Sequence, residues 1–472
     1  MPRTYRHTKV IFTIGPATTD EEILEKLLNV GVDICRLNMA HASHEWTKQT
    51  IDTVNKVCQK TGRQIAFMMD VKGPEIRTGD VGEELQLIAG ETFDLLMDPK
   101  AAEEGIRGTT VNYPGLNKDI NVDDVILVDS GLIRMKVIEI NDERVRCTVV
   151  IPGPMGNRRH INLPGIKVNL PCLTKKDRDD IMCGIECGVD FFALSFVREP
   201  DDLDILRRFI ADNGSVAKII AKIEDQTAVK NLDEIILASD GLMVARGDLG
   251  IEIPYETLPL VQHRAVKTCL AMGKPVIIAT HMLETMITNP MPSRAEITDV
   301  ATAVLEQADC IMLSGETTVG KYPGECVDVF NRVSLAMEGQ RGDPYNTAVS
   351  LKTPKAMLLR SAVVLASEIP DAVIVAFTKS GYIPQMLSAL RPRGTPVFAF
   401  TESDQIFRHM LLLWGIEPFK VEFSEDPDET INRAVGKLKE KGWITQKSHL
   451  VVVTNVLVKD RVIDTIQLRT VD

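Results

Sequence analysis

The sequence lacks the marks of several protein classes. Only 5% of its 472 residues are aromatic, and no apolar run approaches the roughly 18 residues that span a bilayer. Positive charge is not in excess: 54 Lys and Arg face 66 Asp and Glu, for a net charge of −12. That balance argues against nucleic acid or an anionic membrane as a partner, so any anionic ligand must be met by local positive groups. The nine cysteines form no CxxC pair, and Cys183 and Cys187, four apart, read as neighbours on a helix face rather than metal ligands. GxGxxG, HExxH and GxSxG are missing, and His41 and His281 stand alone, which leaves zinc and serine hydrolases unsupported. There is no internal repeat and no low-complexity segment. The basic start, MPRTYRHTKV, leads into a polar-interrupted strand rather than a signal-peptide core. A cytoplasmic protein is expected.

What is present is ordinary globular composition, 44% hydrophobic and 25% charged, in a chain long enough for about three domains. Eight apolar runs of strand length, most of them followed by a helical pattern, form the grammar of βα units: Val10–Pro16, Asp33–His41, Ile65–Val71, Phe191–Arg198, Ala217–Asp225, Gly241–Asp248, Pro275–His281 and Cys310–Glu316. Glycines at 31, 214 and 273 end three helical patterns, as C-terminal caps do. The spacing predicts an α/β fold with a (β/α)8 TIM barrel over 1–71 and 167–340. Residues 72–166 interrupt it with period-two patterns such as VILVDSGLIRMKVIEI, which predict a small all-β lid inserted at the C-terminal end of a barrel strand. Beyond the turn-rich GQRGDPYN (Gly339–Asn346), residues 346–472 predict a separate α/β domain with strands DAVIVAFT, PVFAFT and HLVVVTN.

Polar residues gather where the barrel runs end, which is where active sites of this fold lie. The second ends in Arg36, Asn38 and His41; the third in Asp70, followed by Lys72, Glu75 and Arg77; the fifth in Lys222 and Glu224; the sixth in Arg246, Gly247 and Asp248; the seventh in Thr280 and His281. Lys222 and Glu224, two apart, leave a strand on the same face, and Asp248 follows on the neighbouring strand. Two carboxylates there make a hard oxygen site suited to Mg2+, with substrate oxygens and water filling the other positions. The alternative is a structural Lys222–Glu224 ion pair. Gly247 leaves room for close approach of backbone to a ligand. Lys222 with a divalent ion would stabilise an enolate or a transferring phosphoryl group. GETTVGK (Gly315–Lys321) fits GxxxxGK, but Tyr322 stands where a phosphate loop needs Ser or Thr, and an eighth barrel strand explains the segment.

These residues resemble the pyruvate kinase family over nearly the whole chain. The likeness runs through TIGPAT (Thr13–Thr18), RLNMAH (Arg36–His41), DVKGPEIRTG (Asp70–Gly79), NLPG (Asn162–Gly165), SFVR (Ser195–Arg198), KIED (Lys222–Asp225), SDGLMVARGDLGIEIP (Ser239–Pro254), ATHMLETM (Ala279–Met286), PSRAEITDVATAV (Pro292–Val304) and LSGETTVGKYP (Leu313–Pro323). It is to the bacterial type without an extra C-terminal extension. The resemblance implies a homotetramer that transfers the phosphoryl group of phosphoenolpyruvate to ADP in glycolysis, yielding pyruvate and ATP. It implies that Arg36 grips the phosphoryl group, Lys222 stabilises its charge and the enolate, Glu224 and Asp248 hold Mg2+, and Gly247, Asp248 and Thr280 bind substrate. Thr280 would also assist protonation of the enol. Asn38, His41, Arg77 and Arg159 match nucleotide-side positions, although relatives usually carry Lys at 159. A Mg2+-dependent enolate-forming lyase or aldolase, or a catalytically silent regulatory homologue, are the alternatives.

Several positions depart from the family pattern. Ala40 removes a serine hydroxyl that helps hold a monovalent cation, and Val71 replaces a threonine; Asn38, Asp70 and the Val71 carbonyl remain as K+ ligands. Glu75 matches the K+-dependent form, and the balance falls on K+ use. His281 replaces a glutamine beside Thr280. In the C-terminal domain, TKSG (Thr378–Gly381) resembles the family's effector loop and could hold a phosphate at a helix start. Tyr382 and Ile383 replace basic and hydroxylated residues, however, and VLVKDRVIDTIQL lacks the small-residue loop of the sugar-phosphate pocket, so sugar-bisphosphate activation is not expected.

Overall fold

The computed structural model describes residues 5–340, 348–458 and 461–471; side chains at 455–458 and 461–462 lie outside the description. The eight apolar runs form a closed barrel in which every strand pairs in parallel with its neighbour in chain order, and the first with the eighth. The strands are Lys9–Thr13, Ile34–Asn38, Ala66–Val71, Phe191–Leu194, Lys218–Ile223, Gly241–Ala245, Val276–Ala279 and Cys310–Leu313. Most are shorter than the apolar runs because the polar residues at their ends leave the sheet. Gly247 and Asp248 therefore lie on a short helix, Arg246–Glu252, rather than on the sixth strand.

Buried side chains pack the barrel on both sides of its wall. Met68, Phe191, Ile220, Met243 and Ile277 fill the interior, while Leu24, Leu27, Val54, Leu206 and Val266 pack the surrounding helices against the wall. Gly31 and Gly273 end their helices in left-handed conformation, as the glycine caps predict. Gly214 follows a cap formed by Asn213.

Between the third and fourth barrel strands lies a seven-stranded sheet. Its order is Ile76–Arg77, His160–Asn162, Val125–Val128, Ile133–Ile140, Arg144–Ile151, Thr92–Leu96 and Arg107–Thr110. One four-residue helix, Leu116–Asp119, interrupts this β structure, and the sheet has a core of its own around Phe93, Ile126 and Val137.

The C-terminal sheet has five strands, ordered Ile416–Lys420, Val397–Thr401, Val373–Phe377, His449–Val458 and Arg461–Thr470, the last antiparallel. Its two edge strands escape the apolar-run reading because one carries Pro418 and charge and the other breaks its apolar residues with Asp464, Thr465, Gln467 and Arg469. Most of the turn-rich GQRGDPYN stretch lies outside the described residues, as do the side chains in the first half of VLVKDRVIDTIQL. Leu411 and Leu412 from the C-terminal part pack under the barrel interior. No helix among the described residues is long and apolar enough to cross a membrane.

Candidate active site

The C-terminal mouth of the barrel gathers Arg36, Asp70, Lys222 and Glu224 into one buried network. Each comes from the end of a different apolar strand except Lys222 and Glu224, which share one. Arg36 donates through Nε to Asp70 Oδ2 at 2.8 Å and through a terminal nitrogen to Thr13 Oγ1 at 2.9 Å. Lys222 Nζ reaches Asp70 Oδ1 at 3.1 Å, Ser195 Oγ at 2.7 Å and Glu224 Oε1 at 2.9 Å. The Lys222–Glu224 ion pair offered by the sequence as an alternative is thus present, but as one link in a larger charged cluster. Phe196 donates its backbone N–H to Glu224 Oε2 at 2.7 Å, from a left-handed conformation with φ of 54°.

Burial and charge oppose each other here. Burial alone would raise the Asp70 carboxyl, yet the Arg36 and Lys222 cations hold it below the ordinary carboxylate range. Burial would depress the Lys222 ammonium, but Asp70 and Glu224 outweigh it and hold it above the usual lysine range. Glu224 is different: burial, with Asp248 adding to it, pushes its carboxyl up to about 7 against the pull of Lys222. The cluster therefore sets two cations, Arg36 and Lys222, against three carboxylates, Asp70, Glu224 and Asp248. Negative charge is in excess where an anionic substrate would have to bind, and a hard divalent cation on Glu224 and Asp248 would correct that excess. Among the described residues no three His, Cys, Asp or Glu side chains gather into a ready-made metal cage, so the donor set fits an ion that takes one or two carboxylates and completes its shell elsewhere.

A second group lies across the mouth. Gly247 donates its N–H to Thr280 Oγ1 at 2.7 Å, and that hydroxyl donates to the Ala279 carbonyl at 2.6 Å. A Cβ on Gly247 would come 3.4 Å from both Thr280 Oγ1 and His281 Cε1, in ordinary van der Waals contact with the turn. Thr280 and His281 both have positive φ, 69° and 56°, a strained arrangement that surrounding structure must enforce. Arg246 supplies the enforcement. Its guanidinium pairs with Asp299 at 2.6 and 2.7 Å and donates to the Thr280 carbonyl at 2.9 Å.

Other residues singled out in the sequence sit apart from this cluster. Asn38 Oδ1 accepts from the Ala40 N–H at 3.1 Å, and His41 is exposed on the same loop. The buried Val71 carbonyl accepts from Ser195 N at 3.4 Å. Arg77 and Arg159 make their polar contacts on the inserted sheet, Arg77 with Glu75 at 2.6 Å and Arg159 with Asp129 at 3.4 Å. Glu75, also 3.1 Å from Lys72, is held below the ordinary glutamate range: burial would raise it, but Arg77 and Lys72 prevail. GETTVGK forms a four-residue helix, Gly315–Thr318. A Cβ on Gly320 would fall 2.2 Å from the Glu316 carbonyl, so that glycine serves a tight turn. In the C-terminal part, Thr378 Oγ1 accepts from Gly381 N at 2.9 Å beside a cavity of about 460 Å3 that Lys355, Lys379 and Ser380 help to line.

Sequence reasoning missed Ser195, Thr13, Lys176 and the pair Asn162–Glu252. Ser195 had only a weak signal, a single hydroxyl directly after the apolar FFAL of the fourth run. Lys176 Nζ donates to the Met39 carbonyl at 2.8 Å and to Asp180 at 2.6 Å, bracing the loop that carries Asn38 and His41. Asn162 donates to Glu252 Oε1 at 2.8 Å, a contact between segments 90 residues apart that no local pattern reveals.

Comparison with known proteins bears on this arrangement. Residues 5–327 match the family model described as pyruvate kinase, barrel domain, and residues 356–468 match the one described as pyruvate kinase, alpha/beta domain. A pyruvate kinase of Staphylococcus epidermidis is 38% identical over 462 residues, covering 96% of this chain and 78% of that protein. Plastidial pyruvate kinase 2 of Arabidopsis thaliana is 37% identical over 456 residues, with the same coverage of 96% and 78%. A crystal structure of a pyruvate kinase from Cryptosporidium parvum superposes with a TM-score of 0.94 at 33% identity, covering 99% of this chain and 97% of that one.

Proposed function

The chain belongs to the pyruvate kinase family, a family of phosphotransferases, and on that premise we propose that it transfers the phosphoryl group of phosphoenolpyruvate to ADP, giving pyruvate and ATP. The observation that carries this reading is the charge pattern at the barrel mouth. Arg36 and Lys222 share Asp70 as counter-ion, and a phosphoryl group, with its larger negative charge, is a stronger partner for both cations. In the reaction an oxygen of the ADP β-phosphate attacks phosphorus, the bond from phosphorus to the enol oxygen breaks, and the enolate of pyruvate takes a proton at its methylene carbon. Arg36 and Lys222 neutralise charge on the phosphoryl group as it moves, and Lys222 also faces the enolate oxygen as its negative charge grows. Gly247, Asp248 and the Thr280 hydroxyl form the substrate carboxylate side. The Thr280 hydroxyl, already in a donor and acceptor chain from Gly247 to Ala279, passes the proton through water.

Glu224 and Asp248 are the residues that would hold Mg2+, which when bound supplies Lewis-acid stabilisation of phosphoryl and enolate oxygens. Asn38, His41, Arg77 and Arg159 form the nucleotide side, the last two brought over the mouth by the inserted sheet acting as a lid. Asn38, Asp70 and the Val71 carbonyl take K+. The C-terminal part serves regulation or assembly, and the active species is a homotetramer.

The test is an omission assay of pyruvate and ATP formation by the full chain. Both products should appear together, and only when phosphoenolpyruvate, ADP and Mg2+ are all present, with K+ raising the rate. Enolate chemistry without nucleotide would identify a lyase instead, and no turnover under any combination would identify a silent homologue.

A further inference from the structure

The strand His160–Asn162 leads the inserted sheet back to the barrel. His160 and Asn162, two apart on a strand, leave it on one face, while Ile161 between them is buried in the core of the inserted sheet. Both outer side chains meet the barrel mouth. The His160 ring lies 5.9 Å from the Phe196 ring at an interplanar angle of 56°. Asn162, only 3% exposed, donates to Glu252 Oε1 at 2.8 Å.

Each residue contacted is one step from a carboxylate assigned to Mg2+. Phe196 gives its N–H to Glu224 at 2.7 Å, and does so from a left-handed backbone, φ 54°, which for a bulky residue needs support from the surrounding structure. Glu252 lies four residues after Asp248 on the helix Arg246–Glu252, one turn along the same face, and its carbonyl accepts from Gln226 Nε2. A cavity of about 70 Å3 is lined by His160, Asn162, Phe196, Gln226 and Glu252 among others, so the side chains of both contacts border one space.

We propose that His160 and Asn162 are positioning residues that tie the placement of the inserted sheet to the affinity of the metal site, His160 through Phe196 and Glu224, Asn162 through Glu252 and Asp248. The proposal rests on the assignment of Glu224 and Asp248 to Mg2+. Mn2+ binding to the full chain, followed by electron paramagnetic resonance, tests it without turnover. His160→Ala and Asn162→Ala should each weaken Mn2+ binding roughly tenfold, in the range seen when groups supporting metal ligands are removed. His160→Phe, which keeps a ring against Phe196, should bind within about threefold of the unaltered chain, because most of that support is retained. Unchanged binding in His160→Ala, or His160→Phe as weak as His160→Ala, would overturn the proposal while leaving the metal site standing. An unaltered chain that binds no Mn2+ would remove the metal assignment itself. If His160→Ala fails to fold, His160→Gln against His160→Phe makes the same comparison of ring removed with ring kept.

Discussion

Asp70 holds the site together before substrate arrives. One of its oxygens accepts from Arg36 and the other from Lys222, so two like charges stay buried around a shared counter-ion. Nearby, Ala40 offers only a methyl and a backbone N–H, the latter already given to Asn38. Restoring a hydroxyl with Ala40→Ser should lower the K+ concentration for half-maximal rate severalfold, read from K+ titrations of the ATP-forming assay; an unchanged response would mean that K+ does not bind there. Arg246 belongs to the same scale. Its side chain is only 10% exposed and spans Asp299 and the Thr280 carbonyl. Asp299→Ala leaves that guanidinium unpaired and should cost about 3 kcal/mol in urea unfolding, with a raised KM for phosphoenolpyruvate as the strained Thr280 turn relaxes.

At the scale of elements, the barrel was legible because its strands are buried on both faces and read as apolar runs such as FFAL and VIIA. Their polar termini pointed to Arg36, Asp70, Lys222 and Glu224 because those residues end strands, a feature of position rather than of long-range contact. Ser195 was passed over because a single hydroxyl after FFAL carries no charge to draw notice. The contact of Asn162 with Glu252 was illegible for another reason: it exists only once the inserted sheet folds back on the barrel. That contact has a pH signature. Burial, with Asp225 and Asp248 adding, pushes the Glu252 carboxyl up to about 7 from its ordinary 4.5 despite the Asn162 hydrogen bond. The folded chain then binds more protons than the unfolded one between those values. The stability Glu252 contributes is full below about pH 4.5 and is lost as pH rises through about 7. Glu252→Gln, which keeps an acceptor for Asn162, should therefore gain stability relative to the unaltered chain on going from pH 5 to pH 8, by up to about 3 kcal/mol. Urea midpoints at the two pH values measure it, and a pH-independent difference would contradict the assignment.

For the whole molecule, the net charge of −12 leaves Arg36 and Lys222 as local cations at a barrel mouth where carboxylates outnumber them, so a divalent cation on Glu224 and Asp248 would be what completes a positive focus for an anionic substrate. The opposite end of the barrel is closed by the C-terminal part. Arg391, 1% exposed, pairs with Asp309 at 2.8 Å and lies 4.9 Å over the Trp414 ring, joining the foot of the eighth barrel strand to the C-terminal sheet region. Arg391→Ala strands the buried Asp309 and should cost about 4 kcal/mol, seen as a lower urea midpoint with the C-terminal part unfolding ahead of the barrel; a single transition at the original midpoint would contradict that role. The central claim, that this barrel mouth moves a phosphoryl group by electrostatic stabilisation, rests most heavily on Lys222. The most direct measurement is ATP formation from phosphoenolpyruvate and ADP by Lys222→Met beside the unaltered chain, with circular dichroism to show that the fold persists. A rate lowered by at least about 100-fold, the size of effect expected when a charge-stabilising donor is removed, is the result predicted; near-equal turnover would contradict it.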